Sequence, residues 1–189
     1  MRYRAGGKSG TGSLGKLARF KAELVNSFVA ERGITSVIEF GCGDGHQLGM
    51  MRLPRYVGFD VSPSAIEGCR ELFSNDLDKT FAVTEEYDGE CAQLALSIDV
   101  IYHLVEDDVY SEYMTRLFSA AERYVVIYST NTDSRTSLQS NHVRHREFES
   151  WVAENIPGWR LVEKVTNPYS RSWFGLSRTI PDFYLFEKT

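Results

Sequence analysis

The chain has no apolar run long enough to span a bilayer, and its basic start leads into no apolar segment of the kind that directs secretion. Cysteine is scarce and odd in number. Cys42, Cys69 and Cys91 form no CxxC pair and no metal-ligand spacing, which excludes a disulfide scaffold and a zinc module. A reduced, cytoplasmic setting is the expectation. Basic charge is missing from the middle of the chain, where residues 71–112 carry twelve acids against one lysine. The broad basic stripe that follows a nucleic-acid backbone is therefore absent, and neither nucleic acid nor membrane is expected as a partner. Acid is missing from the start: residues 1–21 carry six basic side chains and no acidic one. Within that arm, the Gly/Ser-rich segment 1–14 reads either as a lid over a small anionic ligand or as a solvated terminus. What remains as a partner is a small molecule.

What is present is alternation. No linker, repeat or low-complexity tract divides the 189 residues, so they read as one domain, 1–189. Leu17, Phe20, Leu24 and Phe28, flanked by Val25 and Val29, recur at helical spacing and predict a helix over 15–31 that Gly33 ends. Strands are expected at 36–40, 56–60, 80–83, 93–98, 124–128, 160–165 and 183–187. Pro63 suits a first helical turn, and Ser64 and Glu67 stand at capping-box spacing. Val109, Tyr113 and Leu117, with Met114 and Phe118, outline another helix face, and 148–155 forms a short helix ended by Pro157. Strands alternating with helices predict an α/β fold: an open, mostly parallel seven-stranded sheet with helices on both faces. Between the last two strands lies only a loop, 166–181, so these two are expected to pair as an antiparallel edge hairpin.

In such sheets ligands sit beyond the carboxyl ends of the strands. The first strand runs straight into Gly41-Cys42-Gly43-Asp44-Gly45, where the chain must turn sharply and admit a ligand against its backbone. The second ends on Asp60, placed to accept hydrogen bonds from two ribose hydroxyls. Together these predict a bound nucleoside. A dinucleotide fingerprint wants a third glycine where this chain has His46, and Glu39 at the base of the loop would repel a pyrophosphate. S-adenosylmethionine carries a sulfonium and an ammonium in place of phosphate, so carboxylates suit it.

The run Val37-Ile38-Glu39-Phe40-Gly41-Cys42-Gly43-Asp44-Gly45, followed by Val57-Gly58-Phe59-Asp60, resembles the first two motifs of class I S-adenosylmethionine-dependent methyltransferases. The resemblance covers 36–68 closely and extends by strand order to about 130. It implies the class I methyltransferase fold, with Glu39, Gly41, Cys42, Gly43 and Gly45 on the methionine half of the cofactor and Asp60 on the ribose. Val61, beside Asp60, joins this set by the same implication. For the adenine amine it offers Glu85, Glu86 or Asp88, with Glu85 preferred. At the end of the fourth strand it implies Ile98 and Asp99 near the sulfur and amino group, while a capping role for Asp99 stands as the alternative.

Methyl transfer needs proximity and, for a hydroxyl acceptor, a base. The segment Asp99-Val100-Ile101-Tyr102-His103-Leu104-Val105-Glu106-Asp107 looks like the fourth motif of many small-molecule methyltransferases and makes His103 the candidate base. Its other reading is a histidine packed under the cofactor. The long polar stretch 129–146 carries Asn131, His142, Arg144, His145 and Arg146. His142, Arg144 and His145 are the candidate acceptor contacts, or else the polar cap of the last helix. Asn167, Tyr169, Trp173 and Phe174 are read either as an apolar wall for a sugar ring or as packing on the sheet, and Asn167-Pro168-Tyr169 as a turn. The chain also resembles small bacterial methyltransferases that accompany surface-glycan synthesis. The leading expectation is O-methylation of a small, sugar-like or carboxylated acceptor. N-methylation of a small amine, or a non-catalytic S-adenosylmethionine-binding module, are the alternatives.

Overall fold

Ala18, Ala22, Val25 and Val29 form the buried stripe of the first helix, α1 (Gly15–Glu31), with Phe28 and, unexpectedly, Lys21. Leu17, Phe20 and Leu24, expected at its centre, are only half-buried. The stripe is rotated because alanines bring the helix axis close to its support, leaving the larger side chains to cover the flanks. Gly33 ends the helix in the left-handed region (φ 61°), and the Ile34 N–H returns 3.0 Å to the Val29 carbonyl. The computed structural model describes residues 15–133, 142–169 and 181–189. The arm 1–14 and, in the last loop, Trp173 and Phe174 lie outside them.

The strands are β1 (Ser36–Phe40), β2 (Arg55–Asp60), β3 (Lys79–Val83), β4 (Ala92–Ile98), β5 (Ala121–Ser129), β6 (Trp159–Val165) and β7 (Asp182–Lys188). They form a seven-stranded sheet in the order β3-β2-β1-β4-β5-β7-β6. Strand order runs outward from β1 in both directions, which puts the topological switch beside the glycine loop that follows β1. β1, β2 and β3 pair in parallel, and β7 runs antiparallel to both β5 and β6. The expected edge hairpin is present, but the reversed strand β7 is the inner of the pair and β6 is the edge. A bulge between Leu161 and Glu163 breaks the β6 register.

By density of packing the chain divides into two compact units, residues 1–94 and 95–189. In the first, α2 (Pro63–Leu72) packs on β2 and β3. Its cap is Ser62, whose Oγ accepts the Ala65 N–H at 3.3 Å, with Pro63 in the first turn. The capping-box spacing of Ser64 and Glu67 is therefore not the box; it lies two residues inside the helix. The first crossover, residues 41–54, carries a single 3-10 turn, Leu48–Met50, instead of a longer helix. In the second unit, α3 (Asp107–Ser119) packs on β5, and α4 (Phe148–Asn155) packs on β6. α3 buries Tyr110, Met114, Leu117 and Phe118. Val109, expected on that face, is exposed, because Tyr110 faces the core one residue on.

Candidate functional site

In the first unit the glycine loop is built by its neighbours. The Gly41 and Cys42 N–H groups both donate to the Phe59 carbonyl, at 2.7 and 3.0 Å, folding the loop back over the end of β2. Gly41, Gly43 and Gly45 hold φ of 91°, 60° and 76°, a region L side chains rarely enter. At Gly45 a Cβ would also stand 2.9 Å from Phe73 and 3.0 Å from Cys69 Sγ, so α2 can approach only because that position has no side chain.

Asp60 fastens the loop. Its Oδ2 accepts the Gly43 N–H at 2.9 Å and its Oδ1 accepts the Ser62 N–H at 2.9 Å. One carboxylate thus ties the loop after β1 to the start of α2. Burial pushes its pKa up, against the lowering effect of the backbone N–H groups of Gly43, Ser62 and Val61. The carboxylate is thus bonded by backbone N–H groups from both the glycine loop and the turn into α2.

Glu39 is buried and bonded, not open: the Tyr56 hydroxyl donates to Oε2 at 2.5 Å. Burial raises its pKa to about 7, resisted by the Tyr56 bond and by the charge of buried Lys21, and helped by Asp60. Cys42 and Cys69 are buried free thiols on the Gly43 carbonyl, and the bond between them, then burial, pushes the Cys42 thiol far up. Cys42 is therefore an inert part of the loop. Val61, next to Asp60, is an apolar side chain 69% exposed. Glu85 is exposed on the 3-10 turn Thr84–Glu86, from which Tyr87 packs edge-on against Phe40 and Phe59.

In the second unit β4 ends on buried Ile98 and on Asp99, the only non-glycine among the described residues with positive φ, at 61°. That conformation turns the chain sharply out of the strand. The following 3-10 turn, Ile101–His103, starts at Val100 without a side-chain cap from that residue, and the Asp99 Oδ1 accepts the Tyr102 hydroxyl at 2.8 Å. Burial, then the Asp99 charge, pushes the Tyr102 phenol well up. His103 is exposed on that turn, its ring near-parallel to that of His142 with centroids 6.1 Å apart and its Nδ1 3.4 Å from the His142 carbonyl.

The segment 142–146 lies along this turn. Arg144 N–H donates to the Tyr102 carbonyl at 2.8 Å, and its guanidinium meets Val105 O and Asp107, both at 2.9 Å. Arg146 binds the Leu104 carbonyl, Val105 O at 2.7 Å and Asp107 at 3.2 Å, and its guanidinium sits 4.4 Å from the Tyr110 ring centre. Both arginines hold Asp107 below the usual carboxylate range. His145 Nδ1 is 2.6 Å from Thr130 Oγ1, and burial lowers its pKa.

His103, His142, Arg144 and His145 thus lie along one turn of the second unit, and Glu39, the glycines and Asp60 form a group in the first. The two arginines, however, are spent on Asp107 and on carbonyls of the 104–105 turn rather than left open. Reading the sequence missed Tyr56, Lys21, Tyr102 and Asp107. For Lys21 a signal existed: a lysine three residues after Ala18 and four before Val25 stands on the buried stripe. Asn167, level between two readings, is fully buried; its Nδ2 donates to the Tyr128 hydroxyl at 2.7 Å, and its Oδ1 accepts the Tyr169 N–H at 2.9 Å to close the expected turn. Among the described residues no three metal-ligating side chains cluster, and no helix is long and apolar enough to cross a membrane.

The strand order, the reversed penultimate strand and the glycine loop followed by Asp60 define the fold of the class I S-adenosylmethionine-dependent methyltransferases. Solved structures similar to this chain include the N-methyltransferase NodS from Bradyrhizobium japonicum WM9 in complex with S-adenosyl-l-homocysteine (TM-score 0.73, 17% identity, covering 91% of this chain and 87% of that one). Magnesium protoporphyrin IX methyltransferase from Synechocystis PCC 6803, with the same product bound, superposes at TM-score 0.67 and 14% identity, over 90% of this chain and 83% of that one. The methyltransferase domain of bacterial CtHen1-C does so at 0.68 and 16%, over 90% and 97%. No protein-family model and no curated protein matches the sequence.

Proposed function

We propose that the chain is an S-adenosylmethionine-dependent methyltransferase acting on a small hydroxylated acceptor, sugar-like or carboxylated. The observation that carries the reading is Asp60, buried at the exit of β2 and holding the glycine loop through Gly43 with its carboxylate beside the three left-handed glycines. The residues present fit the cofactor. Two carboxylates, Glu39 and Asp60, stand beside a loop of three left-handed glycines, and the donor set suits cations and hydroxyls rather than phosphate. Glu39 with Gly41, Cys42, Gly43 and Gly45 takes the methionine half, Asp60 the ribose, and Val61 offers an apolar face to the adenine. Glu85 is assigned to the adenine amine, and Ile98 and Asp99 to the amino-acid end.

When bound, S-adenosylmethionine supplies an activated methyl group on a good leaving group. The chain's own residues then have three tasks: to hold the ligand, to orient the acceptor, and to take its proton. His103 is the proposed base. It is exposed, held by the backbone turn that begins at strained Asp99, and flanked by Tyr102 and His142. His142 and His145 are the proposed acceptor contacts. Arg144 is proposed to contribute through the edge of a guanidinium already paired with Asp107.

A second reading, N-methylation of a small amine, is favoured by one observation: Asp99 and Tyr102 form an acidic, aromatic pair suited to an ammonium. A panel of hydroxylated and amine acceptors with labelled cofactor decides between them. The reading expects turnover on a hydroxylated acceptor that rises with pH through a histidine titration. Turnover confined to amines replaces it with the second reading. Cofactor binding without turnover on any acceptor makes the chain a binding module.

A further inference from the structure

Glu39 is served by a small piece of construction around β2. Its partner in the parallel register is Gly58. A Cβ at Gly58 would stand 2.9 Å from Tyr56 Cε1, 3.0 Å from the Tyr56 hydroxyl and 3.0 Å from Phe81 Cδ1. Glycine there leaves free the volume that the Tyr56 phenol fills, and the phenol uses it to reach the Glu39 carboxylate at 2.5 Å. Tyr56 is 1% exposed, Glu39 5%, and Lys21, which reaches the same region from α1, is 0% exposed.

The titratable groups facing Glu39 are Tyr56 and Asp60 on β2, Lys21 on α1 and Cys42 in the loop. The Tyr56 bond and the Lys21 charge favour its ionised form; Asp60 and burial oppose it. Among the described residues of the first unit, the two buried carboxylates face one buried lysine. A carboxylate buried for packing alone is better replaced by an amide or an apolar side chain, since desolvation of a charge is costly. One kept close to ionisation by a bonded phenol and a buried ammonium suits a cation that arrives later.

We propose that Tyr56 and Lys21 are positioning residues that hold Glu39 as an anion for the cationic end of the cofactor, and that Gly58 is what lets Tyr56 do so. This rests on the methyltransferase reading above. S-adenosylmethionine and its demethylated product differ by one positive charge, at sulfur, so the device distinguishes them. Protonating Glu39 removes the anion, so affinity for S-adenosylmethionine falls as pH drops through the Glu39 titration. Affinity for the uncharged-sulfur product falls less. The discrimination is therefore largest on the alkaline side and is lost on acidification across roughly pH 8 to 6, around the raised value of about 7.

The test is calorimetric titration of the full chain with each of the two molecules between about pH 5.5 and 9, for wild type, Tyr56→Phe and Glu39→Gln. In wild type the affinity ratio between them is expected to shrink as pH falls. In Glu39→Gln it is expected to be flat. In Tyr56→Phe the midpoint moves upward by about one to two pH units, the shift expected for losing one hydrogen bond to a charged group. Affinity is then still rising at the alkaline end of the range. Gly58→Ala, which keeps the phenol but occupies its space, is expected to move the midpoint the same way. A Tyr56→Phe profile that overlays wild type, or a Glu39→Gln variant that keeps the pH dependence, overturns the proposal. Failure of wild type itself to bind either molecule overturns the underlying reading instead, and the two failures differ because only the second removes the wild-type curve.

Discussion

The two units treat their charged groups in opposite ways. In the first, residues 1–94, Glu39, Asp60 and Lys21 are buried, and each carboxylate is bonded by a donor only a few residues or one strand away. In the second, residues 95–189, His103, His142 and Asp107 are exposed, and the arginines that meet Asp107 come from 37 and 39 residues further along. Buried charge held by local bonds is expensive to keep and hard to vary, which suits the cofactor site proposed there. Exposed charge held by contacts between loops is cheap to rearrange. The contrast predicts that substitutions at Glu39 and Asp60 alter stability and cofactor affinity together, whereas those at His103 and His142 alter turnover with cofactor affinity spared.

The strongest way to break the contrast is His103→Ala. If the base reading holds, the single-turnover rate with saturating cofactor drops about 10²–10⁴-fold while the cofactor dissociation constant stays near wild type. A loss of cofactor affinity with the chemical step intact would place His103 with the first group and collapse the distinction.

Glu39→Gln sharpens it from the other side. A carboxyl whose pKa rises from about 4.5 to about 7 on folding contributes stability that is complete below 4.5 and is lost as pH rises through 7. The difference is worth about 3 kcal/mol. In the absence of ligand, the stability of Glu39→Gln relative to wild type is therefore expected to grow by that order between pH 4.5 and 8, read from urea unfolding. A constant gap across that range means Glu39 does not titrate in the folded chain.

Asp60→Ala follows. It removes an acceptor proposed for the ribose and strands the Gly43 and Ser62 N–H groups, so cofactor affinity is expected to fall about tenfold or more, with a lower melting temperature as well. Affinity unchanged in a destabilised protein would leave Asp60 a purely structural clasp. The smallest effect belongs to Asp107→Asn. The pair it breaks is exposed, so the melting temperature is expected to drop less than in Asp60→Ala, with the loss fading in high salt.

How much of this was legible in the sequence follows the same division. The helices at 15–31 and 148–155, the strand at 36–40 and the closing antiparallel pair come directly from periodicity and punctuation, since each depends on side chains a few residues apart. The glycine loop and Asp60 were legible because the turn needs glycine and because the carboxylate stands at a strand end. What escaped depends on the third dimension. Tyr56 stands near the start of β2 as one apolar residue among several, and only the register that sets Gly58 opposite Glu39 shows what its hydroxyl reaches. The rotation that buries Lys21 and half-exposes Leu17 is decided by what α1 packs against. Arg144 and Arg146 were legible as a basic cluster, but their engagement by Asp107 belongs to a contact between distant loops.

The central claim is that the buried carboxylates and the glycine loop of the first unit form a site for S-adenosylmethionine. Isothermal titration of the wild-type chain with S-adenosylmethionine, its demethylated product and NAD tests it most directly. The account predicts saturable one-to-one binding of the first two and no heat of binding for NAD. NAD binding with equal or better affinity, or no binding of either sulfur compound, would contradict it.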